Sequence, residues 1–335
     1  MWRWIVSAAL IALLLYVPTQ LKPYGIFLMS NWMIFCVVAT GLNLTIGYAG
    51  QISLAQAGFM GIGAYTTAIL TTQYGWNFWA TLPLATLFSF LLGIVVGYPA
   101  LRVQHHYLAF VTLGFNIIVY LIFRNEDWLT NGAFGIYDIP RPDVFGIETG
   151  SPLNFYYLSF VFLAAMLAVA WWIVRSPWGR AFAALRENPV RAASLGVDIR
   201  AYTLLAFAIG SAFAGLAGSF YASLLEFIDP YPFAFIYSLN FLLMVISGGS
   251  ATLVGPLIGA GLVLLLPEWL RLMPEELKFV NDYYLMFYAV FVIVLMAFCP
   301  TGIVGIWQRA SVFLRHKRMS MAAQAASARS EQGRP

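Results

Sequence analysis

Long apolar runs, each closed by a short break containing polar residues, glycine or proline, repeat from one end of the chain to the other. Spans fall near residues 4–20, 25–46, 50–72, 78–98, 105–123, 153–174, 201–225, 233–249, 251–267 and 283–299. A transmembrane helix needs roughly 20 apolar residues, which at 1.5 Å per residue cross a hydrocarbon core of about 30 Å. The pattern therefore predicts an all-α polytopic membrane protein with about ten transmembrane helices. The first run, "RWIVSAALIALLLYVPTQ", has no small-x-small cleavage site after it and is read as a retained span.

Composition strengthens this reading, since 61% of the 335 residues are hydrophobic and 10% charged, against about a quarter charged in soluble domains. Charge then orients the chain. With ten spans both termini share a side, and that side receives Arg3, Arg102, the five arginines from Arg175 to Arg200, and the tail's Arg309, Arg315, Lys317, Arg318, Arg329 and Arg334. The other side receives Lys22, Arg124, Arg141, Arg271 and Lys278. Basic residues concentrate in cytoplasmic loops, so both termini are expected in the cytoplasm. A transmembrane domain over 1–308, with a cytoplasmic loop at 175–200, would precede a basic, disordered tail over 309–335.

Chemistry-bearing residues are scarce. Cys36 and Cys299 sit in apolar runs and read as small packing residues; His105 and His106 lack companion ligands, so no metal site is expected. Lys22, Lys278 and Lys317 follow Leu, Leu and His, so no Gly-Lys phosphate loop exists and the chain should bind no nucleotide and no other cofactor. An ion-coupled transporter would carry ionisable groups inside its spans, and a channel a charged ring or a filter motif; the spans are nearly bare of both.

Polarity instead gathers in two glycine-rich breaks. "GLNLTIGYAGQISLAQAGFMGIGAY", Gly41–Tyr65, holds Asn43, Gln51, Ser53 and Gln56 among six glycines, Gly58, Gly61 and Gly63 included. Irregular backbone at membrane depth is tolerated only where buried in protein or lining a wet cavity, so this stretch marks either helix packing or a solute pathway. Gly248, Gly249, Gly255 and Gly259 form a second break and a candidate hinge, and Asn240, a polar residue inside the preceding span, joins the same set. Small residues at Ala206, Gly210, Ala214, Gly218 and Ala222, flanked by Ser211, Gly215, Ser219 and Ser223, form a stripe assigned to close helix packing, with an interface between subunits as one place for it.

The basic loop "RSPWGRAFAALRENPVRAASLGVDIR", Arg175–Arg200, carries two helix starts, Ser176-Pro177 and Asn188-Pro189, each a capping side chain followed by proline. The second should give a short surface helix from Pro189 to Leu195, stopped by Gly196 in a left-handed conformation, with Val190, Ala193 and Leu195 on its apolar side beside Arg191.

The order of five motifs, "GLNLTIGYAGQISLAQAGFMGIGAY", "YPALRV", "YLAFVTLGF", "RAFAALRENPVRAASLGVDIRAYTLLAFAIGSAFAGLAGSFYA" and "GGSATLVGPLIGAGLVLLLPEWLR", resembles the membrane permease of branched-chain amino acid ABC importers, in particular its M-type subunit. The resemblance implies type II importer architecture in a bacterial inner membrane. It also implies a homologous permease partner, two cytoplasmic ATPase subunits that hold ATP and magnesium, and a periplasmic substrate-binding protein, with no nucleic-acid partner. The loop helix, Asn188 to Gly196, is then the element expected to dock in the ATPase. His105 and His106, where relatives often carry glycine, and Ser250-Ala251, where they often read Gly-Gly-x-Gly, leave the cargo open between amino acids and urea, short amides or aromatic carboxylates. An ion-coupled transporter or channel is the reading from a different class, and it requires uptake that follows an external cation rather than ATP.

Overall fold

The computed structural model describes residues 14, 16–100, 105–143, 150–271, 283–298 and 302–305. Eleven α-helices of six or more residues frame these residues: α1 Pro23–Asn43, α2 Gln56–Thr72, α3 Phe78–Ala100, α4 His105–Asn125, α5 Pro152–Arg175, α6 Pro177–Glu187, α7 Pro189–Ser194, α8 Ile199–Leu225, α9 Phe235–Gly248, α10 Gly255–Arg271 and α11 Tyr284–Phe298. Among the described residues the extended pairing is confined to one isolated bridge, Ile136 with Ile228. Helix starts follow sequence chemistry. Proline occupies the first turn of α1, α5, α6 and α7. The side chains of Ser151, Ser176, Asn188 and Asp198 accept backbone N–H groups at the starts of α5, α6, α7 and α8.

Among the described residues, five helices are long and apolar enough to cross a membrane: Pro23–Tyr48, Phe78–Pro99, Leu108–Asn125, Pro152–Arg175 and Ile199–Leu225. The expected spans at 50–72, 233–249 and 251–267 are instead shorter helices of 17, 14 and 17 residues. The reason is local: residues 49–55 and 249–254, which the apolar pattern had merged into spans, are irregular backbone. Most of the expected first span, Cys299 and the tail lie outside the described residues.

α8, 27 residues long, is the axis of the subunit and packs against α1, α2 and α3. Its small-residue stripe makes this possible. A Cβ on Gly63 of α2 would overlap the Gly215 carbonyl, one on Gly218 would overlap that of Met60, and one on Gly210 would lie 2.8 Å from that of Gly41. Ala206, Gly210, Ala214, Gly218 and Ala222 are all buried within this one chain. The assignment of the stripe to helix packing holds, and its neighbours are α1, α2 and α3 of the same subunit rather than a second subunit. Small side chains let backbones approach until dispersion and interhelical hydrogen bonds hold them, as where Thr67 Oγ1 donates to Ser219 Oγ at 2.7 Å.

Because α8 is one unbroken helix, its two termini define two ends of the bundle. The start adjoins α6 and α7, and the finish adjoins the 126–143 segment. That segment is fastened to α8: Ile136 and Ile228 exchange backbone hydrogen bonds of 2.9 and 3.0 Å, and Arg141 Nε sits 2.5 Å from Glu226 Oε1.

Candidate functional site

α1 does not end cleanly. Residues Leu44–Tyr48 continue it as a widened π-turn, and residues 49–55 then lead into Gln56 as irregular backbone. Burial alternates along these residues, with Gln51, Ser53 and Ala55 buried and Ile52 exposed. Gly50 turns the chain at φ +71°, a left-handed value that favours glycine.

α2 consequently begins deep inside the bundle. The Gln56 amide donates to Val38 O at 3.2 Å and Gly210 O at 3.0 Å, acceptors near the middles of α1 and α8. A helix start leaves its first N–H groups without intrahelical acceptors, and water is scarce at this depth. Ala55, the residue before α2, supplies no side-chain cap. Three other side chains do so: Leu54 N–H donates to Thr112 Oγ1 (3.0 Å), Ala57 N–H to Ser238 Oγ (2.9 Å) and Gly58 N–H to Asn116 Oδ1 (2.6 Å). Ser238 Oγ in turn donates to Asn116 Oδ1 at 3.2 Å, and Asn116 Nδ2 donates to Phe233 O at 3.3 Å. The buried helix start is thus clasped by α4 and α9 at once.

Thr112, Asn116 and Ser238 were not among the sequence-derived candidates. Their signal is in the chain: Thr112 and Asn116 sit four apart on one face of an apolar helix, the spacing at which two side chains meet the same neighbour.

Asn43 clasps the second break. Its Nδ2 donates to Thr252 O at 2.9 Å and its Oδ1 accepts from Ala251 N–H at 3.0 Å. Gly249 (φ +123°) and Ala251 (φ +60°) make the turn. A Cβ on Gly47 would lie 2.5 Å from Ala251 N, so the two breaks touch. Gly248, Gly255 and Gly259 bring α9 and α10 backbone to backbone, since a Cβ on Gly248 would overlap Gly255 O and one on Gly259 would overlap Met244 O.

Of the four polar candidates in the first break, Asn43 and Gln56 bridge between elements. Gln51 and Ser53 bond only locally, to Ala49 O and from Ala55 N–H, both at 3.4 Å. Asn240 is half-buried on α9. Gly58 and Gly61 lie under side chains, Asn116 and the rings of Phe123 and Phe233 respectively.

At the start of α8, α6 and α7 form a bracket. α6 buries Gly179, Ala181, Phe182 and Leu185, and its Arg186 backbone lies against Gly50. α7 runs Pro189–Ser194, one residue shorter than expected; Asn188 Oδ1 accepts Arg191 N–H at 3.0 Å and Gly196 closes it at φ +86°. Ala192 is its buried residue, while Ala193 is exposed and Val190 and Leu195 stand 78% and 83% exposed. Two large apolar side chains so exposed on a doubly capped helix form a knob without a cover among the described residues. Among the described residues, no group of three or more His, Cys, Asp or Glu could hold a metal. The side chains of His105 and His106 lie outside the described set.

A family model described as "Branched-chain amino acid transport system / permease component" matches residues 25–296. The chain is 33% identical, over 88% of its length and 73% of the relative's, to the high-affinity branched-chain amino acid transport system permease protein LivM of Escherichia coli. It is 26% identical, over 76% of its length and 75% of the relative's, to the autoinducer 2 import system permease protein LsrC of Salmonella paratyphi B. No solved structure matches.

Proposed function

The chain belongs to the family of permease components of branched-chain amino acid transport systems, and from that premise we propose that it forms half of the pathway of an ATP-driven importer of branched-chain amino acids. It would sit in a bacterial inner membrane with about ten spans, type II architecture and both termini cytoplasmic. A homologous permease would supply the other half, two ATPase subunits the energy, and an external binding protein the loaded solute. ATP and magnesium would be held by those ATPase subunits. The similarity to LivM favours branched-chain amino acids as cargo, and the similarity to LsrC, which is named for another solute, favours one machine adapted to several cargoes.

The observation that carries this reading is the α6–α7 bracket. A helix that exposes Val190 and Leu195 offers an apolar contact to a partner, and its caps fix the angle at which that contact is made. Force on α7 would pass to α6, from Arg186 to Gly50, and along the irregular residues 51–55 to the start of α2. Coupling would thus be a rigid-body push on the first break, requiring no charge inside the membrane.

Leu195→Ala and Gly196→Val test this. Leu195 is exposed, so its truncation should change the subunit's own stability by less than about 0.5 kcal/mol. Gly196 has open space around it, so valine there acts through its left-handed backbone alone. Both variants should insert and pair with the partner permease. Both should then lose the ATPase subunits on purification, or lose the stimulation of ATP hydrolysis by loaded binding protein. Assembly, hydrolysis and uptake at parental levels in both would exclude the bracket as the coupling element.

A further inference from the structure

The charged groups at the finish of α8 are not equivalent. Glu226 is neutralised by Arg141, whose guanidinium also lies 5.7 Å over the Phe155 ring. Three residues on, Asp229 is half-buried and, among the described residues, takes part in no ion pair. Burial pushes its carboxyl above the ordinary range, opposed by hydrogen bonds from its own N–H and that of Tyr231.

What surrounds it is aromatic. Its carboxylate lies within electrostatic reach of the phenols of Tyr65, Tyr221 and Tyr237. Tyr65 is 2% exposed, and its hydroxyl is buried without a hydrogen-bond partner. The rings are held in place: Tyr65 stacks on Phe123 at 4.3 Å, Tyr221 meets Phe233 at 6.2 Å, and Tyr237 meets Tyr231 at 5.8 Å.

A carboxylate drawn out of water with no cation beside it, and a buried hydroxyl with no partner, are both costly. One chemistry relieves both. A primary ammonium group gives the carboxylate a charge-assisted hydrogen bond, gives the phenol oxygen a donor, and is attracted to the ring faces. An anion would be repelled, and a neutral apolar group would leave the carboxylate unpaired.

We propose that Asp229, with the phenols of Tyr65, Tyr221 and Tyr237, forms a binding site for the ammonium group of the incoming solute at the outer end of the bundle. The identification of that ammonium with an amino acid's rests on the function proposed above; the cation site itself does not. Asp229 also has a local duty, since its carboxylate accepts Tyr231 N–H in the Asp-Pro-Tyr turn. Asp229→Asn separates the two roles, because asparagine keeps an acceptor oxygen for the turn and removes the charge.

Two measurements test the site. In the first, the purified complex is heated with butylammonium chloride, with butyramide, or with potassium chloride at equal ionic strength. A ligand that binds the folded form raises the melting temperature. Butylammonium alone should raise it in the parent, less so in Tyr65→Phe, and not in Asp229→Asn. In the second, the complex is reconstituted with binding protein and leucine. Uptake by Asp229→Asn should fall at least tenfold while stimulated ATP hydrolysis stays within twofold of the parent, and Asp229→Glu should recover part of the uptake.

If the Asn variant matches the parent in both assays while the parent carries leucine, the site is refuted and the importer reading stands. If Asp229→Glu fails like Asp229→Asn and both lose complex yield, Asp229 serves the turn alone and the site is likewise refuted. A parent that gains the butylammonium shift but carries no amino acid sinks the cargo assignment and leaves the site in place.

Discussion

Replacing Asn116 by leucine removes the centre of the clasp on α2 at nearly unchanged size. Asn116 is fully buried, and its Oδ1 accepts Gly58 N–H at 2.6 Å and Ser238 Oγ–H at 3.2 Å. Gly58 is in the first turn of α2, so its N–H has no carbonyl within the helix to turn to. A buried donor left unpaired costs about 1–3 kcal/mol. The two longer bonds add about 0.6 kcal/mol each, the average for polar contacts between membrane helices. The expected loss is therefore about 2–4 kcal/mol, most of it from one N–H. Reversible unfolding in mixed detergent micelles, followed by tryptophan fluorescence, measures it. Ser238→Ala should cost about 1–3 kcal/mol by stranding Ala57 N–H. Because Ser238 and Asn116 share a hydrogen bond, the double variant should differ from the sum by at least about 0.5 kcal/mol. A loss below that figure for Asn116→Leu, or strict additivity in the cycle, would show that the α2 start does not depend on these side chains.

Glycine substitutions should rank by what the new methyl group meets. Gly63→Ala collides with the backbone of α8 at Gly215 and should abolish the folded complex; Gly61→Ala meets the rings of Phe123 and Phe233, which can shift, and should cost about 1–3 kcal/mol; Gly114→Ala has nothing within 4 Å and should be silent in a thermal melt. A Gly63→Ala variant as stable as Gly114→Ala would contradict the close approach of α2 and α8. Sidedness is read by thiol labelling in intact cells: a cysteine at exposed Tyr137 should react with an impermeant reagent and one at exposed Glu187 should not, and the reverse pattern would invert the proposed orientation.

The helices were legible because a lipid solvent imposes a simple rule, a long apolar run with its backbone satisfied internally. The caps of α6 and α7 were legible because Ser-Pro and Asn-Pro pairs act through local geometry. The breaks were legible as glycine and polarity, but not the partners that hold them. Asn43 bonds to residues more than 200 positions away, a separation no local pattern encodes. The small-residue stripe shows the limit from the other side. Its period announces that a helix packs closely, yet the same period serves a neighbour in the same chain or in another, and only the fold assigned it to α1, α2 and α3.

One consequence of the clasps bears on how a solute could cross. A polar side chain inside a membrane protein is costly unless paired, and here the polar side chains in and around the breaks are spent on the protein's own backbone: Asn43 on Ala251 and Thr252, Gln56 on Val38 and Gly210, and Asn116 of α4 on Gly58 and Phe233. What the middle of α4 leaves exposed is Phe110, Ile117, Ile118 and Leu121, with open space over Gly114. Were that face to line the pathway, it would give a polar solute nothing to grip at mid-depth. For a carrier driven by an external motor this is an advantage, because a solute bound tightly halfway would have to be pulled from its own energy well on every cycle. Selection then belongs at the rim, where Asp229 and its tyrosines stand, and the interior needs only to open and close around the start of α2.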